Sequence, residues 1–331
     1  MPDANAAPDN LKFTDLEPAT GNAQAEAVDG LLANRKKVNP KWFYDERGSE
    51  LFDAITQLPE YYPTRTETAL LQRHATEIAS HCPSQCLLVE PGSGSCEKVR
   101  FMLDALQPSA YVPIDISSDF LHQAALALAR EYPWLPVHAV CADFNSDWSF
   151  LEALPSAARV VFYPGSTIGN LEPLAARQFL RQVRDIIGST GGAIIGVDLH
   201  KSTERLNAAY NDSRGVTAQF NLNLLSHLND SLDASFDPQN FDHEAFYNED
   251  ERRIEMHLVS TRSHSVPVNG TDVLFENGER IHTENSYKYS IADFSRLAES
   301  AGLRVQESWT DDEDLFSVHY LTANPSSEGR T

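Results

Sequence analysis

Cysteine is scarce in this chain. There are 4 in 331 residues, Cys82, Cys86, Cys96 and Cys141, and all lie in one half of it. That is too few for a disulfide framework, and a reducing compartment is the default. Cys82 and Cys86 flank Pro-Ser-Gln, with no second cysteine pair or close histidine pair to complete a zinc site, so no metal is expected. Positive charge is scarce too: 26 Lys and Arg stand against 48 Asp and Glu, a formal charge of −22. Such a chain repels phosphate backbones and anionic lipid, which disfavours nucleic-acid and membrane partners. No apolar run is long enough to span a bilayer, and MPDANAAPDNLKFTDLEP lacks the basic and apolar regions of a secretory leader. A cytoplasmic location is the expectation. What is present is 41% hydrophobic and 9% aromatic residues, enough for a real core, in a length that implies about two domains.

The texture changes along the chain. Residues 1–20 read as a flexible tail rich in Ala, Asp, Asn and Pro. A short helix is expected over 23–33. Thr64 and Glu67 have capping-box spacing, with Leu70, Leu71 and Ile78 following at helical spacing. From about Gln85, apolar runs alternate with helical stretches: CLLVE, AYVPID, VHAVCADF, RVVFYPG and GGAIIGVDL as strands, with helices between. This β-α repetition implies an α/β fold, a doubly wound parallel sheet with ligands outside the carboxyl ends of its strands. The alternation stops at His200 and resumes at YSIADFSRLAESAGL, where Ser290 and Asp293 fit a helix cap. The interruption is too long for a connecting loop, which typically has about 2–6 residues. There is no internal repeat.

The chemistry starts at LLVEPGSGSCEK. A buried strand delivers Gly92 and Gly94 to a helix start, where backbone can approach a ligand closely. Glu97 stands where the dinucleotide pattern needs a third glycine. Asp115 ends the second strand and suits ribose hydroxyls. Asp143 and Phe144 end the third and suit an adenine, a carboxylate for its amino group and a ring for its face. Together these strand ends argue for an adenosine ligand. A missing third glycine and the lack of an arginine clamp argue against a pyrophosphate. S-adenosylmethionine carries a sulfonium cation, which suits carboxylates better. At YPGSTIGNLEP, Thr167 occupies the place a hydrolase elbow would give to serine, so that reading is rejected. Ser166, Thr167 and Asn170 either cap the next helix, or Asn170 donates to a substrate carboxylate.

KWFYDERGSELFDAITQLPEYYPTRTE, VEPGSGSCEK, YPGSTIGNLEP, YNDSRGVTAQFNLNLL and HTENSYKYS resemble the L-histidine Nα-methyltransferase family of ergothioneine biosynthesis. The resemblance runs from about Asn39 to Ala323. It implies a class I methyltransferase (Rossmann-like) domain over 75–199 and 287–331. A smaller α+β substrate domain would be made from 21–74 and 200–286. It implies the conversion of L-histidine to its Nα-trimethyl form by three S-adenosylmethionines. The family's cofactor positions fall on Gly92, Lys98, Asp115, Asp143 and Phe144. Its carboxylate-binding positions fall on Tyr61, Asn170 and Tyr210, and its imidazole-binding positions on Glu284 and Ser286. Met256 would wall that pocket, and Tyr44 would sit close to the amine as the catalytic residue. The chain departs from the family at Pro91 and Tyr287. If the TENS segment is extended, Asn285 points away from its neighbours. No partner beyond histidine and the cofactor is implied, and a monomer is expected.

Physical chemistry supports these roles. Methyl transfer is an in-line displacement, so positioning does most of the work. The amine loses its proton near pH 8, so no strong base is required. A carboxylate and a hydroxyl satisfy both imidazole nitrogens and would be left unpaired by phenylalanine. Tyrosine rings suit a growing methylammonium. Three other readings compete: a paralogue methylating tryptophan or another amino acid, a silent binding module, and an NAD oxidoreductase. Glu284 and Met256 disfavour the first, because an indole needs more room and fewer acceptors.

Overall fold

In the computed structural model of the chain, the described residues are 8–16, 20–143, 148–154 and 156–324. They fall into two compact units. The first comprises Met1–Pro18, Arg65–Leu199 and Tyr289–Thr331; the second comprises Ala19–Thr64 and His200–Lys288. The divisions fall at 64/65 and 288/289, against the expected 74/75 and 286/287.

The first unit holds an eight-stranded sheet. Its spatial order is Leu11–Asp15, Val137–Cys141, Ala110–Asp115, Leu87–Pro91, Arg159–Tyr163, Gly192–Asp198, Phe316–Ala323, Leu303–Thr310. The first six run parallel, and the last two are added antiparallel. All five residues of Leu87–Pro91 and all seven of Gly192–Asp198 are buried, as expected of strands covered on both faces. Side chains alternate between two cores. Leu88, Tyr111, Ala139 and Phe162 pack with the helices Tyr62–His81, Arg100–Leu106 and Ser118–Glu131. Val89, Val112 and Val161 pack with Pro173–Ile187 and Ile291–Ser300 on the other face. Chain order reverses between Leu87–Pro91 and Arg159–Tyr163, and a crevice for a ligand opens at the carboxyl ends of such neighbours.

Two expectations need correction. Residues 1–20 are not wholly a tail, because Leu11–Asp15 is a strand paired in parallel with Val137–Cys141. Leu11 and Phe13 pack against the core, and the Asn10 amide reaches the carbonyls of Ala129, Tyr132 and Leu135 at 2.8–3.1 Å. Two apolar residues in five leave too weak a pattern to announce such a strand. Thr64 does not cap a helix either. The helix begins at Tyr62, and Glu67 is turned inward. The cap at Ser290 does form: its hydroxyl accepts from the Asp293 N–H at 3.0 Å, and Asp293 completes the box. None of the four cysteines is in a disulfide.

The second unit has a four-stranded sheet ordered Lys36–Lys37, Arg280–Tyr287, Arg253–Ser260, Phe241–Asn248. The helix Val216–Leu232 lies against it, tied down by Asn221, whose amide donates to the His257 carbonyl at 2.9 Å. Glu46–Thr56 packs on that helix, and Phe43 stacks on Phe220 with ring centroids 4.5 Å apart. A hairpin, His264–Val268 with Thr271–Phe275, completes this unit. Among the described residues no helix is long and apolar enough to cross a membrane.

Candidate active site

In the first unit the glycine-rich turn leaves Leu87–Pro91 with positive φ at Gly92 (66°) and Gly94 (51°). This is the left-handed region that glycine enters without strain. A Cβ built on Gly94 would meet no protein atom within 4 Å, so the space in front of it is open. The Gly94 N–H donates to Asp115 Oδ2 at 2.9 Å, and the Ser117 N–H donates to Oδ1 at 3.0 Å. Asp115 therefore couples the end of the second core strand to the turn after the first. Burial raises its pKa, and these backbone bonds oppose the rise. Asp143 follows Val137–Cys141, and Asn170 ends the single turn Thr167–Asn170 beyond Arg159–Tyr163. Gly92, Asp115, Asp143 and Asn170 thus stand at the carboxyl ends of four adjacent strands. Phe144 lies outside the described residues.

Glu90 has a different role from the strand-end acids. It is buried, and the Tyr111 hydroxyl donates to its carboxyl group. Burial pushes it up to about 8, so it is mostly the neutral acid at pH 7. Ser166 and Thr167 do not cap the following helix. The Ser166 Oγ accepts from the Asp198 N–H at 2.9 Å, and the Thr167 hydroxyl donates to the Pro164 carbonyl at 2.8 Å. The helix Pro173–Ile187 is entered through Glu172, with Pro173 in its first turn.

The residue that sequence reasoning missed here is Glu67. Its carboxylate is 1% exposed and receives the Lys98 ammonium at 2.6 Å. The Gly165 N–H donates to both its oxygens, at 2.8 and 2.9 Å. A Cβ on Gly196 would come within 2.0 Å of Glu67 Oε1, so any side chain there would push the Glu67 carboxylate from its place. Glu67 thus joins the turns after two neighbouring strands and neutralises Lys98. Its place beside Leu70 and Leu71, on the buried helix face, was the available signal. Removing one partner of a buried pair strands the other. Glu67→Gln is expected to lower unfolding free energy by about 3 kcal/mol in urea titration.

With Lys98 neutralised, the open space before Gly94 is flanked by the Asp115 carboxylate rather than by a lone cation. The donor set fits a ribose and a sulfonium rather than a pyrophosphate.

In the second unit, Glu284 pairs directly with Met256 across neighbouring strands. A register shift between His282 and Glu284 sets the phase of the residues beyond it. Alternation then puts Glu284, Ser286 and Lys288 on the same face as Met256, and Asn285 on the other. Burial pushes the Glu284 carboxyl up to about 7, and the nearby Lys288 charge pulls it down. The Ser286 Oγ lies 2.7 Å from Lys288 Nζ and 2.9 Å from the Tyr210 hydroxyl. Tyr44, at the end of the turn Pro40–Phe43, packs edge-on against Phe52 with ring centroids 6.0 Å apart. Tyr61 packs against Phe52 and Tyr210 at 6.4 and 6.1 Å. One aromatic wall therefore carries Tyr44, Tyr61 and Tyr210.

The opposite face of the sheet carries Glu255, His257 and His282, whose potential ligand atoms all lie within 4.8 Å of one another. Burial would raise Glu255, yet bonds from His257, Arg253 and Asn248 hold it at about 2. Its oxygens are committed to those donors. The two imidazoles stack, with planes 21° apart, and His282 Nε2 lies 3.1 Å from the Glu284 carbonyl oxygen.

Comparison with known proteins leads in the same direction. A family profile described as "Histidine-specific methyltransferase, SAM-dependent" matches residues 23–323. The chain belongs to this family. Its methyl donor is S-adenosylmethionine and its acceptor is histidine. A histidine N-α-methyltransferase of Mycolicibacterium smegmatis is 42% identical over 296 residues, 87% of this chain and 91% of the relative. Ergothioneine biosynthesis protein 1 of Neurospora crassa is 32% identical over 293 residues, 86% of this chain but 33% of that protein. A 4-dimethylallyltryptophan N-methyltransferase of Aspergillus fumigatus is 26% identical over 304 residues, 86% of this chain and 89% of that one. Membership of the histidine-specific methyltransferases sets aside the oxidoreductase reading. It also favours histidine over the tryptophan paralogue.

Proposed function

We propose that the protein trimethylates the α-amino group of L-histidine to hercynine, the methylation step of ergothioneine biosynthesis, in the cytoplasm and as a monomer. Its partners are small molecules, and its acidity keeps nucleic acid and membranes away. The observation that carries the reading is the placement of Glu284 and Ser286 on one strand face, with Met256 paired opposite Glu284. An acceptor and a hydroxyl set there match the two imidazole nitrogens.

The first unit is assigned to the cofactor. Gly92 gives close backbone approach, and Lys98, held by Glu67, fixes the turn. Asp115 takes the ribose, and Asp143 with Phe144 takes the adenine. Asn170 is assigned to the histidine carboxylate. The second unit is assigned to the substrate. Tyr61 serves the carboxylate, Glu284 and Ser286 the imidazole, and Tyr44 the amine; Tyr210 lines the same site with its one hydroxyl proton committed to Ser286. S-adenosylmethionine supplies an electrophilic methyl group. The protein's own residues orient the amine lone pair and exclude the phenyl side chain that would leave Glu284 unpaired. The deprotonated amine is available near pH 8 without a dedicated base. As methyls accumulate, the cation meets tyrosine faces rather than bulk water.

The test is mass spectrometry of L-histidine incubated with enzyme and S-adenosylmethionine. Mono-, di- and finally trimethylhistidine are expected, with the mass added on the amine. L-tryptophan in place of histidine should give no product. Absence of all three histidine products would refute the reading.

A further inference from the structure

We propose that Lys288 is a positioning residue for substrate selection. With Tyr210 it holds the Ser286 oxygen as an acceptor, so that the Ser286 proton points to a ring nitrogen of histidine. The proposal rests on the imidazole assignment made above and explains how Ser286 reads the ring.

A serine hydroxyl has one proton and two lone pairs, and an ammonium can only donate. Lys288 Nζ, 2.7 Å from Ser286 Oγ, therefore fills one lone pair without ambiguity. The same ammonium lies 3.4 Å from the Tyr210 oxygen, and the Tyr210 hydroxyl donates to Ser286 at 2.9 Å. With both lone pairs filled, Ser286 has only its proton to offer. Ionised Glu284, on the same face, can only accept. The two together read a ring with one N–H and one bare nitrogen, which is neutral imidazole in a single tautomer. An imidazolium would present two donors to one acceptor. An indole lacks the bare nitrogen, and a phenyl ring lacks both groups.

Burial points the same way. Lys288 and Ser286 are each 3% exposed. An ammonium so deep is expensive to desolvate, and an apolar residue of similar length would fill the volume at less cost. Three polar neighbours, Ser286, Tyr210 and the Glu284 carboxylate, make that charge useful on this face. Its pull on Glu284 also favours the acceptor form.

The experiment is a double-mutant cycle on affinity, by calorimetry with S-adenosylhomocysteine saturating. Ser286→Ala is expected to weaken L-histidine about tenfold, and Lys288→Met by a similar factor. The double variant should stay within about threefold of Ser286→Ala, because Lys288 acts through the hydroxyl. The readout that a packing role would not share is 3-(2-thienyl)alanine, whose ring has no nitrogen. Lys288→Met should leave its affinity unchanged, and Lys288→Arg, which keeps a donor, should restore the preference for histidine. The inference is overturned if the single effects multiply, if thienylalanine weakens in parallel, or if an arginine variant with normal S-adenosylhomocysteine binding lacks the preference. A Ser286→Ala protein with unchanged histidine affinity would instead refute the imidazole assignment itself. The cycle therefore separates the two failures.

Discussion

Replacing Glu284 with alanine is expected to lower kcat/KM for L-histidine by about 10²–10³-fold, with S-adenosylhomocysteine affinity unchanged. The size follows from two losses. A charge-assisted hydrogen bond is worth about 1.5–3 kcal/mol, and a buried imidazole N–H left without a partner costs about 1–3 kcal/mol more. Steady-state kinetics read the first quantity and calorimetry the second. An unchanged kcat/KM would remove the basis for selecting histidine through Glu284. The pH dependence gives a finer reading. Burial holds Glu284 at about 7, so its acceptor form is gained as pH rises through that value and lost as pH falls. kcat/KM should therefore drop on the acid side of pH 7. Glu284→Gln should lose that portion of the limb and keep the higher one that belongs to the amine.

The second large effect is expected at Asp115. Its two oxygens accept from the Gly94 and Ser117 N–H groups, so it shapes the turn and occupies the place assigned to the ribose. Asp115→Ala removes those backbone bonds together with the ribose acceptor. The Kd for S-adenosylmethionine should rise about 10²-fold or more, since charge-assisted bonds of about 1.5–3 kcal/mol are lost. Asp115→Asn retains one acceptor oxygen and should fall between the two. Calorimetry with S-adenosylhomocysteine measures both, and wild-type affinity in the alanine variant would relocate the cofactor.

The core of the first unit was legible because strands buried on both faces read as continuous apolar runs. CLLVE and GGAIIGVDL need no periodicity to be recognised. The strand Leu11–Asp15 was not legible. It sits at the sheet edge with two apolar residues, and its partner is more than a hundred residues away. Local rules also misled at Glu67, where Thr64 three residues earlier imitates a capping box. Its true partners, Lys98 and Gly165, are set by tertiary packing. Alternation alone could have put Glu284, Ser286 and Lys288 on one face. That Lys288 turns back onto Ser286, and that Tyr210 meets the same oxygen, belongs to the folded chain. The candidate imidazole residues came from a family resemblance rather than from any pattern in the composition.

The most direct test is a crystal structure with L-histidine and S-adenosylhomocysteine bound. One imidazole nitrogen is expected at about 2.7–3.2 Å from a Glu284 oxygen, with the other at a similar distance from Ser286 Oγ. An imidazole that makes neither contact would contradict the assignment of this face to the histidine ring.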